Sequence, residues 1–158
     1  MTQALDRITV PARTEATHSI IWLHGLGADG HDFAPIVPML GLAAHTRVLF
    51  PHAPVRPITI NNGMAMRAWY DIVSFERRHE DSAGIAQSFA AIQALYEEEK
   101  ARGIAAENIL FAGFSQGGAM ALHLGLRLPC AGILSLSAYL LDAENTPAAD
   151  KNPILPIL

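Results

Sequence analysis

The strongest indication of the fold is a G-x-S-x-G turn between a strand-like and a helix-like segment, in Ala112-Gly113-Phe114-Ser115-Gln116-Gly117-Gly118-Ala119. The apolar residues 108–112 lead into it, and residues 116–127 have the composition of a helix. Glycines on either side of such a turn let its two arms approach, and the serine is lifted off the sheet in a strained conformation. The pattern therefore predicts Ser115 as a nucleophile. An ordinary glycine-rich strand–helix turn is the alternative.

A second glycine-rich stretch, His24-Gly25-Leu26-Gly27-Ala28-Asp29-Gly30, follows the apolar residues 19–23. Residues 25–30 fit G-x-G-x-x-G, the dinucleotide fingerprint, which also requires an acidic residue about 20 positions further on, at the end of the next strand. The next apolar segment, residues 47–50, leads instead into Pro51-His52. A dinucleotide site therefore has little support in the sequence.

The other interpretation of this loop is an oxyanion hole, in which backbone N–H groups stabilise negative charge on a reacting carbonyl oxygen. In α/β-hydrolases one donor follows the nucleophile, and the other comes from a loop after an earlier strand that often opens with His-Gly. We therefore predict that the backbone N–H groups of Leu26 and Gln116 form the hole, with Gln116 at a helix N-terminus. His24 is predicted to brace the loop, and a role as a base is its alternative.

Strand-like and helix-like segments alternate along the chain, which predicts βα units and a mostly parallel sheet. We expect a single domain over residues 1–158, of the α/β-hydrolase type, with helices on both faces of the sheet. An amphipathic helix should run from a cap near Ser82 to Gly103, and prolines should shorten or bend a helix over residues 31–40. Residues 51–82 are expected to be irregular. The predicted strands are residues 19–23, 47–50, 108–112, 131–136 and 153–158.

Composition and charge argue against several kinds of partner. The formal net charge is −4 and Arg77-Arg78-His79 is followed at once by Glu80 and Asp81, so no nucleic-acid partner is expected. No apolar run approaches the roughly 20 residues that span a bilayer, and residues 1–11 do not resemble a signal peptide, so we expect no stable membrane insertion and a cytoplasmic location. The single cysteine, Cys130, is expected in the core. Neither a metal nor a cofactor is implied, because the sequence has no H-E-x-x-H or paired-ligand motif.

Several sequence blocks together are similar to a known family. One is the segment from Asn61 to Ile72, which contains A-W-Y-D. In order and spacing the blocks resemble the carboxylesterase/acyl-protein thioesterase family, also called the phospholipase/carboxylesterase family, over nearly the whole chain. The blocks are L-H-G-L-G at residues 23–27, F-P-H-A-P at 50–54, A-W-Y-D at 68–71 and A-G-F-S-Q-G-G-A at 112–119.

The resemblance implies an α/β-hydrolase fold without a large cap domain, and a serine carboxylesterase that acts on a small-molecule ester. The substrates would be carboxylic esters of short to medium acyl chains, acyl thioesters or lysophospholipids, cleaved through an acyl-Ser115 intermediate. Leu26 and Gln116 would supply the oxyanion hole, and Trp69 would bind substrate near the acyl site. The alternative for Trp69 is packing, as an anchor of the long loop.

The family's catalytic triad also contains an aspartate and a histidine, which the resemblance places after the strand beginning at Pro153. Both would lie beyond Leu158, so we expect a C-terminally incomplete fold whose open edge is covered by a complementing C-terminal fragment or by a second copy in a homodimer. A serine without a base is a poor nucleophile. His123, eight residues past Ser115 on the same helix, cannot reach it. The alternative functions are a catalytically impaired fragment or acyl-binding module and, more weakly, a nucleotide-binding domain built on residues 25–30.

Overall fold

A computed structural model of the chain describes residues 4–74, 79–147 and 155–158. The strands are β1 Arg7–Val10, β2 His18–Leu23, β3 Thr46–Pro51, β4 Val55–Ile58, β5 Met64–Arg67, β6 Ile109–Phe114 and β7 Gly132–Leu136, and the α-helices are α1 Ser82–Ala101 and α2 Gln116–Gly125. Five strands form one sheet in the order β1-β3-β2-β6-β7, while β4 and β5 form a separate antiparallel hairpin. Among the described strands of the main sheet, only β1 is antiparallel to its neighbour, which confirms the predicted, mostly parallel α/β fold.

The central strands bury both faces of the sheet, because parallel strands covered on two sides carry apolar residues at consecutive positions. In β2, Ile21 and Leu23 pack with residues of α1 and α2, whereas Trp22 belongs to the cluster on the opposite face. A 3₁₀ helix, Ala34–Met39, contributes to that second cluster. Within the described ranges, both α-helices therefore cover one face and the 3₁₀ helix lies on the other.

Helix α1 begins and ends close to where the sequence predicts. The Asp81 side chain caps it by accepting a hydrogen bond from Gly84 N–H (2.9 Å). Gly103 follows the helix with a φ of +96°, a conformation that glycine adopts without strain. Ile85 and Ile92 are buried on the predicted apolar face. With 20 residues α1 is long enough to cross a membrane but too polar, and no other described helix qualifies.

Two segments differ from the prediction and a third agrees with it. Within residues 31–40 the helix is short, as expected: it is a 3₁₀ helix, Ala34–Met39, since Pro35 and Pro38 lack the N–H groups that an α-helix needs. Residues 51–82 contain the β4–β5 hairpin, which reverses at Asn62-Gly63, where both residues have positive φ. The prediction also omits β1, a strand of four residues at the edge of the sheet.

Residues 155–158 continue the sheet beyond β7. Leu158 N–H donates to the Ile133 carbonyl (2.9 Å), and Ser135 N–H donates to the Leu158 carbonyl (2.8 Å). Ile157 forms a parallel bridge with Ile133. The last four residues of the strand predicted at 153–158 therefore lie parallel beside β7, and residues 153 and 154 lie outside the described ranges.

A buried carboxylate joins α1 to the edge of the sheet where β2 and β3 begin. Glu99 is fully buried, accepts a hydrogen bond from the Ser19 hydroxyl and lies 3.0 Å from Arg47 Nε. Ser19 belongs to β2 and Arg47 to β3, so one side chain fixes the helix across two strands.

Replacing Glu99 by alanine is expected to lower the free energy of unfolding by about 3 kcal/mol, because it leaves the largely buried Arg47 guanidinium without its carboxylate. Urea unfolding measures the change. Glu97 is the matched control, since its exposed pair with Lys100 (3.0 Å) should contribute less than about 0.5 kcal/mol. Equal effects of Glu99→Ala and Glu97→Ala would contradict the role assigned to Glu99.

Candidate active site

The turn around Ser115 has the geometry that the G-x-S-x-G pattern predicts. Ser115 has φ +52° and ψ −119°, a left-handed conformation that costs a residue with a side chain about 1–3 kcal/mol. A Cβ on Gly113 would lie 2.2 Å from the Gly117 carbonyl oxygen, and a Cβ on Gly117 would lie 2.1 Å from that of Leu23. Ser115 N–H donates to the Leu136 carbonyl (2.8 Å). Close packing thus holds a half-buried, strained serine at the carboxyl end of β6.

Ser115 lines a cavity of about 370 Å³. Leu26 and Gln116, the predicted oxyanion-hole residues, line the same cavity, so the structure brings the nucleophile and both predicted donors together. Much of the remaining wall comes from residues 70–74 and from Tyr139. The complete lining is Leu26, Tyr70, Asp71, Ile72, Ser74, His79, Glu80, Ser115, Gln116 and Tyr139.

The loop that carries Leu26 is fixed by its own backbone. Gly27 N–H donates to the Arg67 carbonyl (2.8 Å), and Ala28 N–H donates to the Gly25 carbonyl (3.3 Å). The N–H group of Leu26 has no acceptor in the described part of the chain. That of Gln116 is one of the N-terminal groups of α2, which have no partner within the helix. Both N–H groups therefore remain for a ligand.

His24 braces this loop through both ring nitrogens, as predicted. Its Nε2 accepts a hydrogen bond from Ala53 N–H (3.0 Å), so its Nδ1 carries the proton and donates to the Gly25 carbonyl (2.7 Å). Burial lowers the pKa of His24 below its ordinary value. A neutral ring with both nitrogens engaged cannot take a proton from Ser115, so the geometry argues against the alternative role as a base.

Trp69 is a buried anchor. Its side chain is fully buried, and its indole N–H donates to the His24 carbonyl (2.9 Å). The Gln116 side chain brackets the same segment, because its Oε1 accepts from Trp69 N–H (2.8 Å) and its Nε2 donates to the Tyr70 carbonyl (2.8 Å). Trp69 does not line the cavity beside Ser115. These contacts match the packing alternative, and the predicted substrate contact of Trp69 finds no support in them.

Several residues that line the cavity were not predicted from the sequence. The hydroxyls of Tyr70 and Tyr139 lie 2.7 Å apart, and burial raises the pKa of Tyr70 above its ordinary value, so the Tyr70 hydroxyl is neutral. Glu80 accepts a hydrogen bond from Asp142 N–H (2.9 Å). These residues come from separate loops. Of them, only Tyr70 belongs to a motif that the sequence shows, the A-W-Y-D block.

Residues 25–30 do not have the surroundings of a dinucleotide site. Turns and the 3₁₀ helix Ala34–Met39 follow them. A pyrophosphate in such a site binds at an α-helix N-terminus, which is absent between β2 and β3. Gly30 instead approaches the backbone of the next strand, since a Cβ there would lie 2.3 Å from the Phe50 carbonyl oxygen.

Comparison with known proteins supports the hydrolase interpretation. Residues 6–158 match the family model described as Phospholipase/Carboxylesterase. Acyl-protein thioesterase 1 of Neurospora crassa is 42% identical over an aligned length of 165. The alignment covers 95% of this chain and 67% of the relative. Acyl-protein thioesterase 1 of Schizosaccharomyces pombe is 39% identical over 152 residues, which cover 94% and 68%. The chain thus spans about two thirds of the length of these curated relatives.

A solved structure agrees with this result. The crystal structure of Zea mays acyl-protein thioesterase 2 has a TM-score of 0.83 with this chain at 25% identity, and the match covers 96% of this chain and 73% of that one. The family model, the curated relatives and the fold all indicate the same class of enzyme. The chain belongs to the phospholipase/carboxylesterase family, a family of α/β-hydrolases that cleave esters or thioesters as serine hydrolases.

Proposed function

We propose that Ser115 is the nucleophile of a carboxylesterase or thioesterase that works through an acyl-Ser115 intermediate. The observation that carries this proposal is the strained backbone of Ser115, with φ +52°, beside a cavity that Leu26 and Gln116 also line. Strain of this kind persists only where surrounding structure enforces it, and it concentrates at active sites. Here the close packing of Gly113 and Gly117 enforces it.

In the proposed mechanism Ser115 Oγ attacks the carbonyl carbon of the ester or thioester, and its proton passes to a general base. The carbonyl oxygen becomes an oxyanion that accepts from the N–H groups of Leu26 and Gln116, each worth about 3 kcal/mol in the transition state. Collapse of this intermediate expels the alcohol or thiol, which takes the proton from the base. Water, deprotonated by the same base, then attacks the acyl carbon of acyl-Ser115. The bond to Ser115 Oγ breaks, the base returns the proton to that oxygen, and the carboxylic acid is released.

The general base is proposed to come from outside the described residues. Ser115 Oγ has no hydrogen-bond partner within the described ranges, and the ring nitrogens of His24 are both engaged. His123 is buried against α1, and burial lowers its pKa to about 4. His79 lines the cavity but makes no hydrogen bond to Ser115.

A complementing polypeptide that continues the sheet beside residues 155–158 is the proposed source of that base, and a second copy of the chain is the alternative. Intact mass under denaturing conditions separates the two. A smaller polypeptide accompanying the 17.0 kDa species would support the complementing fragment. The 17.0 kDa species alone, eluting as a dimer in its native state, would favour the second copy.

The cavity favours neutral substrates with short to medium acyl chains. Leu26, Ile72 and Tyr139 give it an apolar wall within about 370 Å³. Asp71 also lines it, and although burial opposes ionisation, hydrogen bonds from Thr59 lower the pKa of Asp71. An ionised carboxylate repels the phosphate of a lysophospholipid, so neutral esters and thioesters are the better substrates in this proposal.

Hydrolysis of p-nitrophenyl esters and of an acyl thioester tests the proposed function. In a sample that contains the proposed source of the general base, we expect turnover of butyrate and octanoate esters and weaker turnover of a lysophospholipid. The competing function, an acyl-binding module without chemistry, predicts that the protein binds octanoate and that no ester is hydrolysed. Binding without hydrolysis in a sample that contains the complementing polypeptide would refute the esterase proposal.

A further inference from the structure

Three metal-ligating side chains meet on the loops that follow β2 and β3. Asp29 and His31 follow Leu26 in the segment between β2 and the 3₁₀ helix Ala34–Met39, and His52 directly follows β3. One ligand atom from each of the three lies within 4.8 Å of the other two. We propose that Asp29, His31 and His52 bind a divalent transition-metal ion such as Zn²⁺, independently of ester hydrolysis.

The turn that carries two of the ligands is already formed. The Asp29 carboxylate accepts hydrogen bonds from His31 N–H (2.8 Å) and from His31 Nδ1 (3.1 Å), which keeps both side chains on one side of the turn. The rings of His31 and His52 lie 5.5 Å apart between centroids. Two imidazoles and one carboxylate are a donor set that zinc prefers, and three protein ligands leave a fourth position for water.

Charge and exposure set the expected strength of this site. Asp29 supplies one negative charge, while the Arg67 guanidinium acts electrostatically on His52 and opposes a bound cation. The His31 side chain is 69% exposed, so its ordering on binding has an entropic cost. We therefore expect weaker affinity than that of a structural zinc centre with four buried ligands.

Metal binding is coupled to the neighbouring backbone. Gly30 N–H donates to His52 Nδ1 (3.0 Å). A neutral imidazole has one nitrogen lone pair, and the metal takes it at Nδ1 or, after the proton moves to Nδ1, at Nε2. In both cases Gly30 N–H loses its acceptor. Binding of a metal ion is therefore expected to change the environment of the Gly30 N–H group, four residues from Leu26.

Titration of the full chain with ZnCl₂ in a calorimeter tests the site. We expect one ion per chain, and at least tenfold weaker binding in His31→Ala and in Asp29→Asn. Both replaced side chains are substantially exposed, so the variants should keep the wild-type melting temperature. His45→Ala is the matched control, because His45 and His18 form another close histidine pair in the described structure, with ring centroids 4.6 Å apart.

Two outcomes would overturn the proposal. One is the absence of binding, or undiminished binding in His31→Ala and Asp29→Asn. The other is loss of binding in His45→Ala, which would place the ion at the His18–His45 pair. Amide NMR gives an independent readout: Zn²⁺ should shift the Gly30 signal in the wild type and leave it in place in His31→Ala. An unmoved Gly30 signal at saturating Zn²⁺ would also contradict the site, since the metal must displace its hydrogen bond.

Discussion

Ser115→Ala is expected to lower kcat/KM for p-nitrophenyl butyrate by about 10⁴-fold or more, since removing the nucleophile of a serine hydrolase removes most of the catalysis that its triad supplies. The loss should appear in kcat, because the substrate still fits the cavity beside residue 115. Binding of octanoate, a product analogue, should therefore change little. Initial rates with matched protein concentrations measure the first effect, and calorimetry measures the second.

Ser137 is the matched control for this substitution. It is an exposed serine with a φ of +52°, and it directly follows β7, the strand next to β6. Backbone strain is thus shared by both serines, whereas only Ser115 lies between glycines at the start of a helix and lines the cavity. We expect Ser137→Ala to retain the wild-type rate. Full activity in Ser115→Ala, in a sample free of wild-type protein, would show that another group is the nucleophile.

Gly117→Ala is expected to destabilise the fold by about 3 kcal/mol or more, at the upper end of the range for overpacking. The new Cβ would lie 2.1 Å from the Leu23 carbonyl oxygen and 2.5 Å from that of His24. Both atoms belong to the backbone at the end of β2, so no side-chain rotation relieves the contact. Helix α2 must move away from the sheet, which also shifts Gln116 N–H relative to Ser115. Urea unfolding measures the loss of stability.

Gly25→Ala is the control for this effect. A Cβ at Gly25 would lie 3.4 Å from Phe114 Cδ1, an ordinary contact, and its backbone is not left-handed. We expect the free energy of unfolding to change by less than about 1 kcal/mol. If the Gly117→Ala protein is as stable as the Gly25→Ala protein, the turn can relax around the new Cβ. Close packing at Gly117 would then not explain the strained backbone of Ser115.

The parts of the fold that the sequence predicts are those encoded by local signals. The turn at Ser115 is one, because glycine spacing and flanking composition together specify it. Helix α1 is another, since its cap at Asp81 and its stop at Gly103 bracket a periodic apolar face. The pairing of Leu26 with Gln116 rests instead on the general arrangement of the oxyanion hole in α/β-hydrolases, because no local pattern contains both residues.

The remaining features depend on contacts between segments that are distant in sequence. Strand β1 has only four residues, and its pairing with β3 stabilises it more than its own composition does. The side-chain bonds of Gln116 to the Trp69–Tyr70 segment span more than 40 residues, so no periodicity reveals them. The meeting of His52 with Asp29 depends on the same kind of long-range placement.

Treatment of the protein with a fluorophosphonate, followed by peptide mass mapping of the adduct, tests whether Ser115 is an activated nucleophile. An activated serine attacks phosphorus and expels fluoride, which leaves a stable phosphonyl ester on its oxygen. In a sample that contains the proposed source of the general base, we expect one adduct per chain, on the peptide that contains Ser115, and none in Ser115→Ala. An adduct on a different residue, or ester hydrolysis by a sample whose Ser115 stays unlabelled, would contradict it.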